Sequence, residues 1–257
     1  MSGDRDLWDR LRRLTRARIG LGRAGDGLPT AALLDFQMAH AAARDAVHGA
    51  VDFDRIAADL APRATLRTAS AAPDRTTYLR RPDLGRRLDA ESRDRLAARA
   101  AGGGAETIQV VVADGLSSAA VHAHAAPLLA ELAPRLADPG LRPVVLAHQA
   151  RVALGDEIGE ITGARLVVLL VGERPGLSSP DSLGAYLTFA PRVGRTDAER
   201  NCVSNIRPAG LGYADAAHVI AWLAEEALRR ALTGVALKDE TPPLTALTAA
   251  PQAGRLE

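Results

Sequence analysis

The stretch that decides the fold is LVVLLVGERPG, residues 166–176. Its six leading apolar residues are too few to span a bilayer and show no one-faced alternation. They predict a parallel strand buried on both faces. The strand ends at Gly172, and the next side chain is Glu173, followed by Arg174, Pro175 and Gly176. Ligands of open α/β sheets sit in the crevice at the carboxyl ends of the strands. A carboxylate and a guanidinium between two glycines therefore make the first candidate binding edge. A carboxylate this close to a buried strand needs a partner. An ion pair with Arg174 or another arginine, and the N–H groups of a large ligand, are both open readings for Glu173.

The same grammar extends on both sides. Residues 107–113 (TIQVVVA) and 143–147 (PVVLA) predict two more strands, and residues 185–190 a shorter fourth. Helices are expected over 118–136, 156–162 and 213–232, the last with Ala216, Val219, Ile220, Leu223, Ala227 and Leu228 toward the core. Alternating strands and helices imply a small open parallel sheet with flanking helices, an α/β fold.

Residues before 105 read differently. Residues 5–18 form a basic amphipathic helix with Leu7, Leu11 and Leu14 on one face and Trp8 beside them. A glycine loop follows at 19–28, and Pro29 and Thr30 open a helix to about residue 46. Residues 49–82 carry a weak pattern with Pro62, Pro73 and Pro82, read as irregular with a short helix near 53–60. Another helix is expected from Pro82 to about residue 101, ended by the glycine triplet 102–104. The organisation expected is an amphipathic helix at 1–17, a helical segment at 18–104, an α/β domain at 105–238 and a disordered tail at 239–257.

Composition narrows the function classes. Aromatics make up 3% of the chain and the net charge is +1, which argues against a base-stacking platform or attraction to nucleic acid or membrane. Lys238 is the only lysine among 32 basic residues, a bias of codon usage rather than of function. A single cysteine, Cys202, excludes an internal disulfide and a CxxC zinc site. No signal peptide and no long apolar run is visible, so a soluble cytoplasmic protein is expected.

Several motifs compete for attention. Residues 20–25 (GLGRAG) match GxGxxG, but an arginine-rich helix precedes them where a dinucleotide site needs a strand, so a mobile or partner-contacting loop is expected. Residues 114–118 (DGLSS) end a strand and open a helix, which a tight turn with a serine cap explains. His122 and His124 are two apart on a helix and point to different faces, so they form no metal pair. His148 ends a strand, with nothing near it in sequence to complete a triad. Cys202 lies in a polar cluster, residues 201–205 (NCVSN), with no basic partner that would lower its pKa.

Six motifs in series carry a resemblance. RIGxGRAG from residue 18, YLxRPDxGRRL from 78, DGLS from 114, GDxIGE from 155, VGERPGL from 171 and CxSNI from 202 resemble the small (light) subunit of ethanolamine ammonia-lyase. The match runs in order from about residue 18 to 238, weakest over 49–75 and absent from the tail. The resemblance implies a subunit of an adenosylcobalamin-dependent lyase that converts ethanolamine to acetaldehyde and ammonia. It implies a large subunit, a TIM barrel that performs the radical chemistry, with the cofactor between the two chains. It further implies a cobalamin-domain-like, Rossmann-like fold that covers the cofactor from its nucleotide side, in a multimer of heterodimers. The family's cofactor contacts fall here on Val152, Glu173 and Cys202. None of the six histidines has an aspartate two positions before it, so the DxHxxG motif of His-ligated cobalamin domains is missing and base-on cofactor is expected. No catalytic residue or metal ligand is expected in this chain. Localisation would be cytoplasmic, or inside a bacterial microcompartment. Two other classes remain as alternatives: a stand-alone nucleotide-binding enzyme using Glu173 or Cys202, and a structural adaptor without a cofactor.

Overall fold

A computed structural model describes residues 3–100, 108–136 and 143–244 of the chain. Six strands lie in one sheet: β1 (Thr65–Ala69), β2 (Ile108–Ala113), β3 (Val144–His148), β4 (Leu166–Gly172), β5 (Leu183–Phe189) and β6 (Asn201–Ile206). Their spatial order is β1-β3-β2-β4-β5-β6. The first four are mutually parallel. β5 runs antiparallel to β4, and β6 antiparallel to β5.

The expected α/β fold is present, but the sheet is mixed rather than parallel. The reason lies in the link between β4 and β5, residues 173–182, which contains no helix. A parallel return needs a crossover of about a dozen residues or more, usually helical. A short coil can only turn the chain back. A second departure is β1, in a stretch expected to be irregular within an otherwise helical segment. Its sequence TLRTA is polar because β1 is an edge strand, with only Thr68 fully buried. A third is β6, read above as a polar cluster.

Eight α-helices surround the sheet among the described residues: α1 (Gly3–Leu14), α2 (Thr30–His48), α3 (Phe53–Asp59), α4 (Arg75–Arg80), α5 (Ala90–Ala100), α6 (Ser118–Leu132), α7 (Leu154–Thr162) and α8 (Tyr213–Arg230). The helix expected from Pro82 begins later, because Leu84–Arg86 form a single 3-10 turn before α5. The glycine triplet 102–104 lies outside the described residues. Residues 239–244 are described, with His218 Nε2 of α8 2.7 Å from the Pro242 carbonyl; residues 245–257 of the expected tail lie outside the described residues.

Alternation along the strands divides the core in two. Val110, Val112, Val168, Leu170, Ala185 and Leu187 point to the side covered by α6 and α8. Val111, Ala113, Val145, Val167, Leu169 and Val171 point to the side of α7. α8 covers β4, β5 and β6, whereas α7 covers β4 and β2. On the α7 side, Thr188 of β5 is buried beside Arg200, whereas Tyr186 is half-buried and Cys202 and Ser204 of β6 are exposed, and among the described residues that gap defines the site. No helix among the described residues is long and apolar enough to cross a membrane.

Candidate cofactor-facing site

β6 shows the gap residue by residue. Val203 and Ile206 are buried toward α8, while Cys202 and Ser204 are exposed on the other face. Tyr186, the cross-strand partner of Cys202, is half-buried and packs at the margin of the α7-side core. Partial burial raises the Tyr186 hydroxyl above its ordinary pKa, with the Cys202 thiol beside it adding to the shift. Partial burial likewise raises the Cys202 thiol, opposed by its interaction with Tyr186 and reinforced by Glu173. The thiol is exposed yet held protonated, which suits a pocket wall and not a nucleophile.

Glu173 closes this open face at the carboxyl end of β4. It is half-buried, and its carboxylate accepts from the Ser182 hydroxyl and, at 3.2 Å, from the backbone N–H of Asn205. Its partners among the described residues are thus neither Arg174 nor another arginine. A Cβ on Gly184 would lie 3.0 Å from Glu173 Oε1, so the carboxylate packs directly on the start of β5.

Val152 follows the carboxyl end of β3, in the turn that starts α7. It is half-buried against the same apolar cluster that receives Tyr186. Three buried polar atoms in and around this turn find no hydrogen-bond partner: Arg75 Nη2, Gln149 Oε1 and Arg151 Nε. Native interiors satisfy nearly all such groups, so these atoms mark a rim that is chemically incomplete.

A buried ion pair fixes α7 relative to β6. Arg200 forks onto Asp156, with Nη2 to Oδ2 at 2.7 Å, and both side chains are 2% exposed. Thr188 Oγ1 and the Arg195 carbonyl accept the other two Nη protons at 3.0 and 2.9 Å, and Nε donates to Asp197 Oδ1 at 3.4 Å. Burial pushes the Asp156 carboxyl upward, against the pull of Arg200.

The other sequence motifs take structural places. Residues 20–25 form a loop closed by a bridge between Ala24 and Gly27, with no strand before it. Ser117 Oγ accepts from the Ala120 N–H at 3.1 Å and caps α6, as expected. His122 Nε2 accepts from the Asp52 N–H at 2.7 Å, while His124 is buried with Nδ1 2.9 Å from the Tyr213 hydroxyl. His148 packs edge-on against Phe53. Among the described residues no group of three His, Cys, Asp or Glu could hold a metal ion.

Tyr186, Ser182, Ser204 and Asn205 were missed as site residues by sequence reasoning. The signal that would have found the last two is the alternation in NCVSNI, with Val203 and Ile206 as its buried positions. The carboxyl edge thus offers one carboxylate acceptor, a protonated thiol, hydroxyls and an apolar valine around an uncovered surface.

Comparison with known proteins follows the same line. The family model described as ethanolamine ammonia-lyase light chain matches residues 5–238. A protein of Xanthomonas campestris pv. campestris named ethanolamine ammonia-lyase small subunit is 57% identical over 256 residues, covering 97% of this chain and 94% of the relative. Proteins of the same name from Azotobacter vinelandii and Bradyrhizobium diazoefficiens are each 59% identical, covering 91% and 90% of this chain and 88% and 90% of the relatives.

Proposed function

Because the chain belongs to the ethanolamine ammonia-lyase light-chain family, we propose that it is the small subunit of that lyase and covers one side of an adenosylcobalamin site completed by a large catalytic subunit. The observation that carries this reading is the exposed side of β6 closed at its carboxyl end by Glu173, with the Val152 turn following β3 at the same carboxyl edge of the sheet. The uncovered surface, the orphaned polar atoms of the Val152 turn and the amide-compatible donor set fit a tetrapyrrole-sized guest.

Bound adenosylcobalamin would supply the radical that begins the elimination of ammonia from ethanolamine on the large subunit. The residues of this chain bind and orient. Glu173 accepts hydrogen bonds from corrin amides or nucleotide hydroxyls. Val152 gives apolar contact and backbone groups. Cys202 and Tyr186 line the wall and exclude water. No histidine of this chain lies in a DxHxxG motif, so the chain would offer the cofactor no replacement for its own base. Residues 18–104 meet the large subunit, supported by the exposed Leu33, Leu34, Phe36 and Met38 of α2. Residues 1–17 serve solubility or encapsulation, and the pairs assemble as a multimer of heterodimers. The complex acts in the cytoplasm, within a microcompartment in hosts that build one.

Producing this chain with and without the large subunit, and assaying cobalamin-dependent acetaldehyde formation, tests the reading. Activity is expected only from the pair. Activity of the lone chain, or of a large subunit without it, would overturn the proposal.

A further inference from the structure

Asp114, the residue that follows β2, lies between the β3 loop that leads to Val152 and the β4 end that leads to Glu173. Its carboxylate is 6% exposed and accepts from the backbone N–H groups of Gln149 at 2.8 Å and Ala150 at 2.9 Å. Gln149 is held at φ +52°, a left-handed conformation that a side-chain-bearing residue adopts only when its surroundings impose it. The loop then runs straight into Arg151 and Val152. It is gripped further on: the Tyr78 hydroxyl donates to the Ala150 carbonyl at 3.2 Å, and the Arg151 N–H donates to the Gly85 carbonyl at 2.8 Å.

The turn after Asp114 reaches the β4 end. Leu116 N–H donates to the Gly172 carbonyl at 2.8 Å, and Gly115, at φ +58°, is backed directly against Gly172. Gly172 immediately precedes Glu173. Arg75 braces the turn from outside, with Nη1 donating to the Gly115 carbonyl at 2.8 Å and Nε to the Val47 carbonyl at 2.7 Å. That guanidinium also lies 3.8 Å from Asp114 Oδ2 and over the Tyr78 ring, which Arg151 approaches as well.

We infer that Asp114 is a positioning residue for cofactor binding: its carboxylate sets the Val152 loop and its turn sets Glu173, so one buried group fixes both. The inference rests on the cofactor-covering reading proposed above. Capping of α6 is already explained by Ser117, and neither of the two N–H groups held by Asp114 belongs to a helix or strand ladder. The carboxylate therefore acts on loop placement rather than on the sheet itself.

The test uses this chain assembled with its large subunit, and cyanocobalamin as an unreactive probe read by equilibrium binding. Asp114→Asn should weaken binding about tenfold, the scale of one charged hydrogen bond. The half-saturating concentration of adenosylcobalamin should rise in proportion, with the loss falling on that constant and not on kcat. Amide hydrogen exchange at Gln149 and Ala150 should accelerate. Arg75→Ala loosens the same turn without altering a strand and should act in the same direction, so it decides the matter if the Asn variant fails to assemble. Unchanged cyanocobalamin affinity in either assembled variant overturns the inference. Glu173→Ala, measured in parallel, separates the two levels: loss there without loss in Asp114→Asn removes the positioning role alone, whereas no loss in Glu173→Ala removes the cofactor-covering reading.

Discussion

The backbone N–H of Asn205 donates to the Glu173 carboxylate across 3.2 Å, tying the end of β4 to the far edge strand β6 over the start of β5. Asn205 reaches this position at φ +59°, within an irregularity of the β5–β6 register. Glu173 is therefore held in place before any ligand arrives, which favours binding by lowering the ordering cost.

Glu173→Ala should weaken cobalamin affinity by about 1.5–3 kcal/mol, the range for a hydrogen bond to a charged group. Assembly with the large subunit should persist, because the substitution leaves the sheet ladder untouched. Titration of the assembled pair with cyanocobalamin measures the first, and gel filtration the second.

Arg200→Met should cost about 3–5 kcal/mol, since it leaves Asp156 buried and unpaired. Replacing Asp156 by Leu in the same chain should recover part of that loss. Urea denaturation of the assembled complex at pH 7 checks both. Burial already raises the Asp156 carboxyl, so the single variant should lose less at acid pH, where the orphaned group takes a proton.

Gly172→Ala should destabilise by about 1–3 kcal/mol. Its Cβ would lie 2.7 Å from the Asp114 carbonyl oxygen and closer still to that of Ser117, and neither backbone atom has room to retreat. Thermal denaturation beside the wild type reads the cost. Cobalamin affinity should fall as well, because the residue following Gly172 carries the carboxylate of the site.

Asp114 predicts a pH slope. Burial pushes its carboxyl from 3.8 to about 6, with the Ala150 and Gln149 N–H groups, Arg75 and the Gly115 N–H pulling the other way. The folded protein thus holds this proton more tightly than the unfolded chain. Its contribution to stability is complete below about pH 4 and fades as pH rises through about 6, by roughly 3 kcal/mol. Asp114→Asn should flatten that segment of a stability-against-pH curve; an unaltered slope would contradict the assignment.

The central strands were legible because burial on both faces leaves a continuous apolar run, as in β4. The outer strands were not. β1 leaves four of its five residues only half-buried as an edge, so TLRTA carries no apolar run, and β6 alternates around only Val203 and Ile206. Strand direction was legible in principle, since ten residues of coil between β4 and β5 cannot make a parallel crossover. Glu173 stood out by its place after a buried strand, whereas its partner Asn205 is set by cross-strand register, which no local window contains. Asp114 looked like a turn residue. Its hold on Gln149 and Ala150 spans 35 and 36 positions and appears only once β2 and β3 are adjacent.

Cys202, the chain's single cysteine, gives the most direct measurement of the uncovered face. Alkylation of its thiol, followed by peptide mass spectrometry in the assembled pair at pH 8.5, should proceed without cobalamin at a slow but measurable rate, because the raised thiol pKa leaves only a minor thiolate fraction. It should slow at least tenfold once cyanocobalamin is bound, by steric exclusion of the reagent from the β5–β6 face. An equal rate with and without the corrinoid, in a complex shown to have bound it, would place the cofactor elsewhere and contradict the account.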